Sequence, residues 1–350
     1  MSYNVYVNLL RKGFLMMDPK MLLKEAGLAL SISEKQVVTR LEELKLPFYK
    51  SSNLAYFGHT SARDFFNLEK NPQVIAFQIV KGGTGKTSLA SAFAVRANLY
   101  GLKVLCVDLD QQGNLTHTFG INAENYPVII DILAEGYSYE QAVTKVYPGL
   151  FLLASRIENA LIDDVIKLKQ LPLEMVYREH FTELKKEYDL IVVDCPPNLG
   201  QSVAAITLAA DLVVAPVVPE NFALSGLKIT CNSIKELEQS YNTNIQFKIL
   251  VNKYDARTIL SQDALHMLSK HPLYAPHLLQ SYIRTSQEFP NAIARGKTIF
   301  DQIKPTIAKT DVDSLTRELL KIDHTATKIK NRSVAVKNNA HNFNLEESLV

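Results

Sequence analysis

The sequence predicts an α/β fold, a doubly wound parallel sheet preceded by a small helix-turn-helix unit with a hairpin wing. Three observations carry the prediction. Short apolar runs recur along the chain, VIAFQIV, VLCVDLD, DLIVVD and DLVVAPVVP, with helix-like segments between them. That alternation marks a parallel sheet covered on both faces. The first run opens straight into a glycine-rich stretch, KGGTGKTS, and then a helical one. Ahead of it, residues 1–70 read as two short capped helices and an aromatic hairpin.

Composition sets wide bounds. The 350 residues are 47% hydrophobic and 21% charged, with a net charge of +2, as in a globular protein of one large and one small domain. Any basic surface must therefore be local. Cys106, Cys195 and Cys231 are not spaced as zinc ligands and read as buried thiols of a reducing cytosol. Met1–Gly13 lacks the apolar core of a secretory signal, and no apolar run is long enough to span a bilayer.

In the N-terminal unit, Asp18-Pro19 predicts a helix start, with MLLKEAG running to a stop at Gly27. Ser33 to Gln36 is a capping box opening a second helix to about Leu46. Val37, Leu41 and Leu44 share one face of it, leaving Lys35, Thr39 and Arg40 on the open face as candidate DNA contacts. PFYKSSNLAYFG then reads as two strands turning at Ser51-Ser52-Asn53, and Asn67–Pro72 as the boundary.

Val74–Ser88 organises the rest. Glycines let backbone N–H groups converge on an anion, and the helix from Thr87 to Leu99 points its positive end at the same place. Lys86 would reach the β- and γ-phosphates, and the Thr87 hydroxyl would hold Mg²⁺. The usual phosphate loop has glycine where this chain has Val80, and Lys81 stands beside it. After Gly101-Leu102-Lys103 a second strand ends in Asp108 and Asp110, within DLDQQGNLT. VIIDIL and the helix-like YEQAVTKV lead to a short strand, GLFLLAS, and Ile157–Lys186 reads as helix interrupted near Leu171-Pro172. EYDLIVVDCPPNLG supplies a strand ending in Asp194, where a carboxylate organises Mg²⁺ or its water. Phe247–Asn252 is a further strand.

KGGTGKT, DLDQQGNLT, DCPPNLG and ENFALSGL resemble, in that order, the motifs of the ParA/MinD ATPases, the first as their deviant phosphate loop. The likeness covers roughly Gln73–Leu320, with Gln111 in place of a usual proline. The N-terminal unit resembles the winged or MerR-like unit that larger ParA proteins carry. The resemblance implies an ATPase in which two subunits sandwich two ATP molecules with Mg²⁺. Lys81 would cross to the partner's phosphates, while Gly82, Gly83, Thr84, Gly85, Lys86, Thr87 and Ser88 cradle the subunit's own. Thr87, Asp108 and Asp194 would order the metal, Asp110 the attacking water, and Asn252 the base. It further implies non-specific DNA binding by Arg257 and Arg284, with Arg295 and Lys297 nearby, and release by a ParB-like partner. The setting would be the bacterial cytoplasm, at the nucleoid.

Asn252-Lys253-Tyr254-Asp255 also matches the NKxD of guanine readers. Adenine offers a carboxylate no N1–H donor, so ATP requires Asp255 to face elsewhere. Two other functions stay open: a nucleotide-dependent repressor of its own operon, and a MinD-like positioning ATPase. The tail, 326–350, is polar, without an amphipathic membrane face, and is expected to be disordered.

Overall fold

A computed structural model describes residues 18–51, 54–219 and 223–322. The expectations for Met1–Gly13, Ser52-Asn53, the first residues of ENFALSGL and the tail lie outside them.

The centre is an eight-stranded sheet. Its strands are β4 (Gln73–Phe77), β5 (Val104–Asp108), β6 (Val143–Tyr147), β7 (Leu150–Leu153), β8 (Leu190–Asp194), β9 (Leu212–Val217), β10 (Phe247–Tyr254) and β11 (Leu278–Arg284). They lie in the order β11-β10-β9-β4-β8-β5-β7-β6. Every neighbouring pair is parallel except β6 with β7. Alternate residues serve two cores: Val214 and Leu250 one, Val213, Ala215, Ile249 and Val251 the other. A sheet buried on both faces needs such uninterrupted apolar strands.

Two parts of the sheet depart from the sequence reading. YEQAVTKV forms a helix only over Tyr139–Ala142. Its second half is the antiparallel edge strand β6, favoured by the β-branched Val143, Thr144 and Val146 and by the turn at Pro148-Gly149. Strand β11 was not foreseen at all. It carries polar residues among its apolar ones because its edge position leaves part of it exposed.

The N-terminal unit contains β1 (Met21–Leu22), α1 (Leu23–Leu30), α2 (Glu34–Glu43), β2 (Tyr49–Ser51), β3 (Leu54–Phe57) and α3 (His59–Phe66). The Ser33 capping box and the β2–β3 hairpin are both present. The first helix differs from expectation at both ends. Met21 and Leu22 pair with Phe57 and Tyr56 as a short strand, overriding the Asp18-Pro19 start. Gly27 does not end the helix, which runs to Leu30 with left-handed Ser31 beyond it. Glycine is needed there because a Cβ would sit 2.7 Å from the Ile32 carbonyl oxygen.

The unit packs on α4 (Lys86–Leu99), and Met21, Val37, Leu41 and Phe57 belong to the same buried cluster as the sheet. Phe66 meets Tyr100 with ring centroids 4.9 Å apart. Arg96, wholly buried, bonds Glu25 of α1 at 3.0 Å and Asp313 at 2.6 Å. Asp313 belongs to α14 (Ile307–Leu319). Between these lie α5 (Asn114–Thr118), α6 (Ile129–Glu135), α7 (Tyr139–Ala142), α8 (Ile162–Leu168), α9 (Arg178–Glu187), α10 (Gln201–Ala209), α11 (Ala223–Tyr241), α12 (Ile259–Lys270) and α13 (Glu288–Ile293).

Candidate nucleotide-binding site

Ligands of open α/β sheets bind beyond the carboxyl ends of the strands. Here a cavity of about 750 Å³ opens at that edge, lined by Gly82, Gly83, Gly85, Lys86, Thr87 and Ser88 with Asp110 and Asn252. Gly85 has a φ of +89°, and a Cβ on it would lie 2.4 Å from the Asn252 amide nitrogen. Glycine is therefore obligatory where β10 touches the loop. Lys86, the first residue of α4, donates to its own loop's Lys81 carbonyl at 3.1 Å. Burial lowers its pKa, with Asp194 pulling the other way. Lys81 is half-exposed and is not among the residues lining the cavity.

Two carboxylates meet beneath the loop. Asp108 and Asp194 are register partners on β5 and β8, and both are fully buried. Their environments differ. Asp108 was expected to order the metal, but its oxygens are already engaged. Oδ2 accepts from the Thr116 hydroxyl at 2.7 Å and the Thr116 amide at 2.8 Å, and Oδ1 from the Asp110 amide at 3.2 Å. It fastens the loop that carries Asp110. Burial pushes its carboxyl up to about 7.

Neither oxygen of Asp194 receives a hydrogen bond of regular geometry, although the Thr87 hydroxyl stands close enough to favour the ionised form. Burial, then the neighbouring Asp108, push its carboxyl well above the ordinary range, while Thr87 and Lys86 oppose the rise. A buried carboxylate short of hydrogen bonds, beside a hydroxyl, is what a hard divalent cation would satisfy. The pair fits Mg²⁺. Among the described residues no group of three or more His, Cys, Asp or Glu could hold a metal by itself. Asp110, nearly buried, faces the cavity, and its Oδ1 accepts from the Gln112 amide at 3.0 Å.

The far wall was missed in the sequence. Arg284, Thr285, Ser286, Phe289, Pro290 and Ile293 line it, from the end of β11 into α13. Asn252 does reach the loop, donating to the Thr84 carbonyl at 2.7 Å.

The expected DNA contacts are scattered. Lys35 and Thr39 are exposed on α2, but Arg40 is half-buried, its guanidinium 5.1 Å over the Phe65 ring. It packs α2 on α3 instead of facing outward. Arg257 and Arg284 stand at neighbouring strand ends, each bonded to a carboxylate, Asp255 and Asp311. Arg295 is exposed and Lys297 half-buried after α13.

A glycine loop between a central parallel strand and a helix, with a lysine, a hydroxyl and a buried carboxylate converging on it, defines a P-loop nucleotide-binding protein. A family described as an AAA domain matches residues 72–247. The chain is 27% identical over 303 residues to the cell division protein PomZ of Myxococcus xanthus, covering 85% of this chain and 92% of PomZ. It is 32% identical over 226 residues to the chromosome-partitioning ATPase Soj of Thermus thermophilus, covering 64% and 86%. The fold matches a plasmid partition protein of Borrelia burgdorferi bound to AMPPNP, with a TM-score of 0.59, 20% identity and coverage of 72% and 99%. The chain belongs to the ParA/MinD family of P-loop ATPases.

Proposed function

We propose that this chain is an ATP-switched partition ATPase, which dimerises on ATP, binds DNA non-specifically and is released when a ParB-like partner stimulates hydrolysis. The observation that carries the reading is the Asp194 carboxylate, buried under the glycine loop with no hydrogen bond of regular geometry and with the Thr87 hydroxyl beside it. The relatives named for chromosome partitioning and cell division support the biological setting. The bacterial cytoplasm at the nucleoid is the place such a role requires, and no helix of the described residues is long and apolar enough to cross a membrane.

In this mechanism Lys86 would leave the Lys81 carbonyl for the β- and γ-phosphates, and Thr87 with Asp194 would hold Mg²⁺. The metal would supply charge neutralisation at the phosphates. Asp108 works one step back by holding the loop through Thr116, and Asp110 orients the water for in-line attack. Lys81 reaches the partner's phosphates, making ATP part of the interface. Residues 71–325 form the ATPase domain and 1–70 a DNA-binding domain, with Lys35 and Thr39 exposed to reach an operator. That exposed face also favours the second reading, repression of the protein's own operon.

The test is sedimentation and turnover with Mg²⁺, DNA and nucleotide. The wild type should dimerise with a non-hydrolysable ATP analogue, Lys81→Ala should bind it without dimerising, and Asp110→Ala should stay dimeric on DNA with ATP. A wild type that stays monomeric with the analogue, or an Asp110→Ala that turns over ATP at the wild-type rate, would refute the proposal.

A further inference from the structure

Lys253 is exposed, yet its backbone is held in the left-handed region at a φ of +54°, where residues other than glycine are uncommon. Such a conformation persists only where the surroundings fix it. Here the ties are explicit. Its amide donates to the Asn252 side-chain oxygen at 2.9 Å, and its carbonyl accepts from the Thr285 hydroxyl at 2.8 Å. Its ammonium donates to the Gly83 carbonyl at 2.9 Å.

Asn252 donates to the next carbonyl, that of Thr84, at 2.7 Å. Two successive peptide planes of the loop are therefore clamped by adjacent residues at the end of β10. A trans peptide points its N–H opposite to its C=O. Holding the carbonyls of Gly83 and Thr84 towards β10 turns the amides of Thr84 and Gly85 the other way, as an anion-binding nest requires. Gly83 and Gly85, both at positive φ, leave the loop free to adopt other shapes unless something fixes it. The Lys86 bond to the Lys81 carbonyl cannot be that fixture, since Lys86 must leave to meet phosphate.

We propose that Lys253, which stands at the cavity wall, is a positioning residue that pre-sets the phosphate loop through the Gly83 carbonyl, in concert with Asn252. The NK of the guanine-reader-like motif thereby acts on the loop, and neither residue need read the base. This rests on the nucleotide-site reading above and adds a residue that reading leaves idle.

The test compares wild type, Lys253→Met and Lys253→Arg by competition against a fluorescent ADP, with ATP, GTP and pyrophosphate as competitors. A lost charge-assisted hydrogen bond makes the expected loss in Lys253→Met about tenfold for all three ligands alike. Lys253→Arg, which restores a donor, should stay within about threefold of wild type. Melting temperature should barely change, because the side chain is exposed. Equal affinities in wild type and Lys253→Met would overturn the clamp, as would a loss for ATP and GTP that spares pyrophosphate, which makes Lys253 a base contact. A wild type that binds neither the fluorescent ADP nor ATP would instead sink the nucleotide-site reading itself.

Discussion

Arg257 folds back onto Asp255. Its Nε and Nη2 donate to the two carboxylate oxygens at 2.9 and 2.8 Å, and its amide adds a third bond at 3.0 Å. The fork holds the Asp255 carboxyl down at about 2. A guanine reader needs that carboxylate for two ligand N–H groups, and here the arginine occupies it. Asp255→Ala should therefore change ATP affinity by less than about threefold and leave any preference over GTP intact. A true guanine contact would shift the preference by ~10⁴-fold, which nucleotide competition would reveal at once.

The two strand-end arginines should separate in DNA binding. Arg257 is almost wholly exposed beyond its ion pair, at 88%, and its replacement by alanine should lower the slope of log K against log salt by about 0.9. Arg284 lines the nucleotide cavity and is anchored to Asp311 of α14. Arg284→Ala should weaken ATP binding as well, a loss that isothermal titration in the absence of DNA would show. If both variants keep the wild-type salt slope, DNA binds elsewhere.

Testing an operator contact calls for point changes, not truncation. Phe66 packs on Tyr100, and a Cβ on Gly101 would lie 2.4 Å from the Arg63 Cα, so the N-terminal unit and α4 share an interface. Removing residues 1–67 also takes Glu25 from buried Arg96, and losing one partner of a buried pair costs about 3–5 kcal/mol. The truncated chain should melt at a markedly lower temperature. Lys35→Ala with Thr39→Ala should melt as wild type yet lose footprint protection of the operator. Retained protection would reduce α2 to a packing element.

His59 gives that interface a pH dependence. Its Nδ1 lies 2.9 Å from the Asn98 carbonyl, and burial lowers its pKa below the ordinary 6.5, with the Asn98 carbonyl and Asp189 opposing and Arg63 and Lys145 reinforcing. The folded state thus binds fewer protons than the unfolded chain over this window, so stability should rise with pH up to about 6.5 and fall below it. Melting curves from pH 7.5 to 5.5 should show His59→Gln losing less stability than wild type over the same interval. Parallel losses in the two would place the proton uptake elsewhere.

The buried strands were legible in the sequence because each is apolar on both faces, and the phosphate loop because its glycines and lysine sit between strand and helix. The Ser33 cap was equally local. What escaped depended on tertiary partners. The Met21-Leu22 strand exists by pairing with β3, and β11 mixes polar with apolar residues at an edge. The carboxylates needed the fold most. Asp108 and Asp194 look alike at strand ends, and only the fold brings Thr116 onto the first while no hydrogen bond of regular geometry reaches the second. Arg40 likewise reads as surface charge until Phe65 comes beneath it.

Helix α4 bears the phosphate loop at its first residue and, near its last, Arg96 fastened to the N-terminal unit. Its 14 residues make a rod of roughly 21 Å. On such a lever a tilt of about three degrees at the nucleotide end displaces the far end by about 1 Å. The unit presenting Lys35 and Thr39 packs on that end through the Phe66–Tyr100 ring contact and the Arg96–Glu25 bridge. Any change of angle at the glycine loop would reach that unit in proportion to the length of the rod.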